Sequence, residues 1–217
     1  MKQCLIVVDY QNDFVCGSLG FPKAAALEEG ICAKIAQYRE QGGDIIFTLD
    51  THQENYLATQ EGKKLPVSHC IEGTQGWQLY GKAARLCRPE DIQIKKPTFP
   101  SLELANLLKD KAYDKVELVG VVTDICVIAN AVMVKAALPE AEIVVDAACT
   151  STMDEGSKEK ALDVMQCLQI TVMNRQTAPR QGKVKKYCIQ RCNRIGNMLK
   201  YIGFITNERR LSHVRTF

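Results

Sequence analysis

Short apolar runs recur along the first four-fifths of the chain, separated by stretches with helical spacing. Strands are predicted at Cys4–Val8, Ile45–Leu49, Ile92–Lys95, Val116–Val121, Glu142–Val145 and Ile170–Met173. Each is rich in aliphatic or β-branched residues and shows little polar alternation, as expected of strands covered on both faces. Helical patterns lie between them at Ala24–Gln41, Ser101–Lys111, Ile125–Ala137 and Glu155–Cys167. Ser101 is placed to cap the helix that carries Leu102, Leu104, Leu107 and Leu108, and Gly42-Gly43 is placed to stop the first one. Strands alternating with helices predict an α/β fold, a three-layer sandwich with a parallel sheet flanked by helices, because parallel neighbours need crossover connections. The stretch 51–89 is polar and glycine-containing, and reads as an elaborated loop region. No internal repeat or low-complexity tract is present.

From Arg175 onward the pattern ends. Residues 1–174 hold 17 Lys/Arg against 24 Asp/Glu, whereas residues 175–217 hold 11 Lys/Arg against the single Glu208. The expected organisation is therefore an acidic domain over 1–174 and a basic tail over 175–217. Within the tail, Cys188–Ile205 is a candidate basic helix. The tail's charge could attract nucleic acid or acidic surfaces, and nucleic acid is otherwise not an expected partner. At 46% hydrophobic and 24% charged, the 217 residues can bury a core without staples. The five-residue apolar run before Asp9 is too short for a signal peptide or a membrane span, so a cytoplasmic location is expected. Ten cysteines in such a chain are then mostly small buried hydrophobes, one or two of them reactive. No CxxC pair occurs, and Cys188, Cys192 and His213 fall short of a zinc site in ligand count and spacing.

The residues that carry chemistry cluster at predicted strand ends. Asp9 follows the first strand, Asp50 the second, Lys96 the third, and Cys126 the fourth. Open α/β sheets bind ligands outside the carboxyl ends of their strands, so these groups converge although far apart in sequence. Cys126 stands at a helix start, where the dipole and free N–H groups favour a thiolate and should lower its pKa. The same N–H groups could hold an oxyanion. An Asp that takes the thiol proton beside a charge-stabilising Lys would activate this cysteine without histidine. Plainer readings exist: a buried helix-start cysteine, a turn-capping Asp9 and a solvated Lys96 like its neighbour Lys95. Asp50, His52 and His69, with Glu61 as a further candidate, offer nitrogen and oxygen donors that suit zinc, manganese or iron and leave positions open. The alternative there is a pair of surface loop histidines.

Four segments, VVDYQNDF at 7–14, FTLDTHQENY at 47–56, PVSHCIEGTQGW at 66–77 and GVVTDICV at 120–127, give the chain a resemblance. It resembles the isochorismatase-like cysteine hydrolases, and among them the nicotinamidases. The resemblance covers about 1–174 and implies a six-stranded parallel sheet. It implies Asp9 as general base and later acid, Lys96 as its charged partner, and Cys126 as nucleophile. It also implies a cis peptide between Val121 and Val122, with the Val122 and Cys126 N–H groups as oxyanion hole. Phe14, Gln11 and Val121 are implied as substrate-binding residues. One divalent transition metal on Asp50, His52 and His69, with Glu61 as a further candidate ligand, would orient the ring nitrogen of nicotinamide. The expected activity is hydrolysis of a small amide to acid and ammonia, by an enzyme acting as a homo-oligomer. Alternatives are another small-amide or carbamoyl hydrolase, and an inactive scaffold that binds through its basic tail. Two departures stand out. Lys96-Pro97-Thr98-Phe99 is a shorter stretch than the family's, which keeps Lys95 as an alternative. Leu65 and Pro66 also stand where an aromatic often precedes the second metal histidine. Isochorismatases proper lack the cysteine, so Cys126 argues against that activity.

Overall fold

The computed structural model describes residues 1–176. The candidate helix within the tail, and Cys188, Cys192 and His213, lie outside them. Six strands form one all-parallel sheet: β1 (Gln3–Val8), β2 (Asp44–Asp50), β3 (Ile92–Lys96), β4 (Lys115–Val121), β5 (Glu142–Ser151) and β6 (Thr171–Met173). Their spatial order is β3-β2-β1-β4-β5-β6. The chain thus winds outward from β1 in one direction, then returns and winds from β4 in the other. A crevice opens where the direction reverses, between the carboxyl ends of β1 and β4.

One face of the sheet is covered by α1 (Asn12–Val15), α2 (Pro22–Ala25), α3 (Glu28–Glu40) and α4 (Gly81–Leu86). There Phe14, Ala24, Ile31, Ile35, Tyr38 and Ala83 pack on Leu5, Val7, Phe47, Val119 and Val121. The other face is covered by α5 (Leu102–Lys109), α6 (Ile128–Ala137) and α7 (Glu155–Cys167), whose Leu104, Leu108, Val134, Leu162 and Met165 pack on Ile6, Ile46, Ile94, Leu118 and Val145. Successive strand residues point to opposite faces, so the unbroken apolar runs feed two cores at once. Each fully buried aliphatic side chain contributes about 1.5–3 kcal/mol.

Several elements differ from the sequence expectation: α1 has no counterpart in it, and α4 falls inside the stretch expected as loop. The first helix is two: α2 ends at Ala25, and α3 restarts at Glu28 after Leu27, which turns inward onto the core. The start of the helix after β4 is a π-helical turn, Thr123–Val127, with regular α-helix only from Ile128. Strand β5 runs on to Ser151, six residues past the expected end, because a register shift against β4 between Leu118 and Gly120 lets Thr150 and Ser151 rejoin the ladder. Ser101 caps α5 as expected, its hydroxyl accepting from Leu104 N–H at 3.0 Å. Cys4, Cys70, Cys126 and Cys149 are buried free thiols. Among the described residues no helix is long and apolar enough to cross a membrane. Arg175 pairs with Glu159 and Asp163 on α7, so the chain still follows the domain where the basic tail was expected to begin.

Candidate active site

The site lies at the reversal point. Asp9 is the residue after β1, with a left-handed backbone (φ 48°) and no solvent exposure. Lys96 ends β3 and stands in register with Asp50, the last residue of β2. Strand alternation separates the two lysines. Lys95 points outward to Glu72 and over the Trp77 ring, while Lys96 points inward and is fully buried. That settles which of them reaches the cluster. Lys96 Nζ lies 2.7 Å from Asp9 Oδ2, 3.0 Å from Asp50 Oδ1 and 3.6 Å from Cys126 Sγ. It also donates to Thr98 C=O at 3.2 Å. The short Lys96–Phe99 stretch therefore folds back over the ammonium.

Cys126 sits on the π-helical turn that follows the Val121–Val122 peptide, which is cis. The Val122 carbonyl accepts from Ile125 and Val127 N–H, fastening the turn to that peptide. Asn130, one turn along, donates to the carbonyls of Cys126 and Phe99 and accepts from Ser101 N–H. It ties the cysteine turn to the loop that follows Lys96. Gly120 (φ +113°) permits the close approach of β4 to β1, since a Cβ there would stand 2.1 Å from the Val8 carbonyl oxygen.

The electrostatics correct one expectation. The Cys126 thiol is not depressed by its position. Burial pushes it well above the ordinary thiol value, Lys96 pulls it down, and Asp9 and Asp50 push it up again. Desolvation outweighs any helix-end effect here, and the turn is not a regular α-helical N-terminus. Burial also raises Asp9, opposed by Lys96 and reinforced by Asp50. Lys96 is raised despite burial, because Asp9, Cys126 and Asp50 surround it with negative or ionisable partners. A thiol pushed up by burial and a carboxylate pushed up by burial thus both lie beside one buried ammonium.

Beside this trio, Asp50, His52, Glu61 and His69 each offer one ligand atom, all within 4.8 Å of one another. His52 Nε2 is 3.0 Å and His69 Nε2 3.4 Å from Asp50 Oδ2, and both approach Glu61 Oε1, at 3.6 and 3.9 Å. The set fits a divalent transition metal in donor type and in charge. Two imidazoles and two carboxylates converge in a buried place, and Lys96 alone does not balance Asp9, Asp50 and Glu61. His69 Nδ1 bonds to Val67 C=O at 2.8 Å, which leaves Nε2 to the cluster. Burial works against ionisation of Asp50, but bonds from His52 and His69 and the Lys96 charge hold its carboxyl below the usual range. One Asp50 oxygen thus faces the histidines and the other faces Lys96, so the two clusters share a carboxylate.

The remaining expected residues fall as follows. Val121 is buried at the end of β4. Phe14 lies against His69, ring centroids 5.6 Å apart. Gln11 does not have a free amide. Both its N–H groups are used, on Asp50 C=O at 2.9 Å and Trp77 C=O at 2.7 Å, and its oxygen accepts from Asp50 N–H at 2.8 Å. It holds the backbone of Asp50 through both its N–H and its C=O. Sequence reasoning missed Tyr56, packed against His52 and His69 at 4.6 and 4.9 Å between ring centroids. Its hydroxyl donates to Leu65 C=O, so an aromatic reaches the histidines from the loop's start and not from the position before His69. Thr48 and Asn130 were also missed, because a Thr in a strand and an Asn in a helix carry no distinctive signal.

The Isochorismatase domain matches residues 3–177. A Bacillus subtilis (strain 168) protein described as the uncharacterized isochorismatase family protein PncA is 31% identical over 147 residues, 61% of this chain and 78% of its own. The nicotinamidase of Acinetobacter baylyi is 29% identical over 198 residues, 76% of this chain and 91% of its own. The pyrazinamidase of Pyrococcus horikoshii, solved in complex with zinc, superposes with a TM-score of 0.70 at 25% identity, covering 80% of this chain and 99% of that one. With the domain match running over most of the length and the fold shared with solved pyrazinamidases, the chain belongs to the isochorismatase family, close to its nicotinamidases.

Proposed function

We propose that the protein hydrolyses nicotinamide to nicotinate and ammonia through a thioester on Cys126. The observation that carries this reading is the buried Asp9–Lys96–Cys126 trio, joined through Asp50 to a four-donor metal group. As the Cys126 sulfur bonds to the amide carbon, its proton passes to Asp9. The Val122 and Cys126 backbone N–H groups receive the developing oxyanion. The C–N bond then breaks, and the nitrogen leaves as ammonia with the proton from Asp9. Asp9 next takes a proton from water as the water oxygen attacks the thioester carbon; the C–S bond then breaks, the acid leaves, and Asp9 returns the proton to the Cys126 sulfur. Lys96 keeps the negative charge affordable at each stage, because it stays fixed beside Asp9, Asp50 and sulfur.

A zinc, manganese or iron ion held by Asp50, His52, His69 and Glu61 would supply a Lewis-acid contact for a pyridine nitrogen. Phe14 and Val121 would border the ring, with Phe14 already placed against His69. Leu65 and Pro66 in place of an aromatic favour, as a second reading, another small-amide or carbamoyl substrate with the same Cys126 chemistry. Ammonia release from nicotinamide, benzamide and small carbamoyl compounds, with and without chelator, tests the proposal. Nicotinamide preferred over benzamide only in the metal-loaded protein is the expected result. Preference for a carbamoyl compound selects the second reading, and no ammonia from any of them points to an inactive scaffold.

A further inference from the structure

Thr48 is the one hydroxyl in β2, whose interior between Asp44 and Asp50 is otherwise Ile45, Ile46, Phe47 and Leu49. It is fully buried, in register with Val8 on one side and Ile94 on the other. A hydroxyl in such a place costs stability unless it is bonded. Its bonds all go to one residue. Asp9 N–H points at both the Thr48 carbonyl, 3.1 Å, and Thr48 Oγ1, 3.2 Å, while Thr48 Oγ1 lies 2.7 Å from Asp9 Oδ1.

A hydroxyl has a single hydrogen. The Asp9 N–H can only donate, so the Thr48 hydrogen goes to Asp9 Oδ1. That oxygen is thereby occupied by a donor, whereas Oδ2, 2.7 Å from Lys96 Nζ as an ion pair, is buried and accepts no hydrogen bond of good angle among the described residues. We propose that Thr48 is a positioning residue that fixes the Asp9 carboxylate in one rotation and directs the transferred proton onto Oδ2. The inference rests on the reading of Asp9 as proton carrier. When the Cys126 sulfur bonds to the amide carbon, its proton goes to Oδ2, the oxygen on the Lys96 side. When the C–N bond breaks, the same proton leaves with ammonia and Asp9 is again a carboxylate. A proton placed on Oδ1 would compete with the threonine hydrogen for the same oxygen. The left-handed backbone of Asp9 is held by the same residue, so carboxylate and main chain are set together.

Thr48→Val keeps the β-branched shape and leaves Asp9 N–H its bond to the Thr48 carbonyl, so the hydroxyl is the group removed. Steady-state kinetics on the amide that the parent hydrolyses, together with thermal melts, test the inference. Thr48→Val should lower kcat about 10- to 100-fold, the worth of one hydrogen bond to a charged group. KM should stay close to the parent's, and Thr48→Ser should restore most of the loss. If Thr48→Val does not fold, Thr48→Ala against Thr48→Ser asks the same question. The inference is overturned if the variant without the hydroxyl turns over like the parent, or if Thr48→Ser loses as much as it does. The underlying reading has its own control: Asp9→Asn must be inactive. An active Asp9→Asn would remove the reading of Asp9, whereas an inactive one beside a fully active Thr48→Val would remove only the role of Thr48.

Discussion

Lys96→Met places an apolar side chain of similar length where a buried ammonium meets Asp9 Oδ2 at 2.7 Å and Asp50 Oδ1 at 3.0 Å. Two buried carboxylates are then left without their cation, and breaking such pairs costs about 3–5 kcal/mol. The penalty has a ceiling, because Asp9 can escape it by taking a proton. Protonating a carboxyl with an unfolded pKa near 3.9 costs about 4 kcal/mol at pH 7 and about 1.5 kcal/mol at pH 5. The sign follows from linkage. The Asp9 pKa in the folded state is already raised by burial, and loss of Lys96 raises it further. The folded variant therefore holds more protons than the unfolded chain, and its stability falls as pH rises from the unfolded value through the folded one. Urea unfolding of parent and variant, both in chelator, should show a deficit near 4 kcal/mol at pH 7 that shrinks to about 1.5 kcal/mol at pH 5. Turnover should drop by about 10²–10⁴-fold at pH 7. Lys95→Met is the control, because its exposed pair with Glu72 is screened by water and stands outside the trio, so stability and turnover should stay near the parent's. A small, pH-independent deficit for Lys96→Met, or an equal loss for Lys95→Met, would refute the reasoning.

Two further outcomes are expected. His52→Ala and His69→Ala should each lower the bound metal measured by elemental analysis and raise KM for nicotinamide strongly, with less effect on benzamide; metal retained in both would contradict the four-donor site. Lys34 joins buried Glu117 and Asp146, at 2.6 and 2.9 Å, far along the sheet from the trio. Lys34→Met should destabilise the fold by about 2–4 kcal/mol, since it takes the nearest cation from two buried carboxylates that keep only weaker partners, and leave KM unchanged; an altered KM in a stable variant would show that this cluster reaches the site.

The strands were legible because buried parallel strands write themselves as apolar runs, and the candidate site because strand ends converge by topology. Asp9, Asp50, Lys96 and Cys126 needed only the order of the elements to be placed near one another. What could not be read is set by contacts across the sheet. Nothing in the tripeptide Leu118-Val119-Gly120 announces the register shift that lengthens β5 to Ser151. Nothing near Gln11 says that its amide is spent on Asp50, since its partners lie 39 and 66 residues away. The thiol of Cys126 was expected to be lowered by a helix start, but the turn is π-helical and buried, and desolvation decides. The choice between Lys95 and Lys96, by contrast, is a matter of strand alternation alone, fixed once β3 is known to end at Lys96.

The central claim is that the Cys126 sulfur attacks the amide. Cys126→Ala tests it most directly, because Ala suits the turn and removes only the nucleophile from a site otherwise intact. Ammonia release from nicotinamide should fall to background while the melting transition and the bound metal stay as in the parent. Turnover within a few-fold of the parent in the folded, metal-loaded variant would contradict the account.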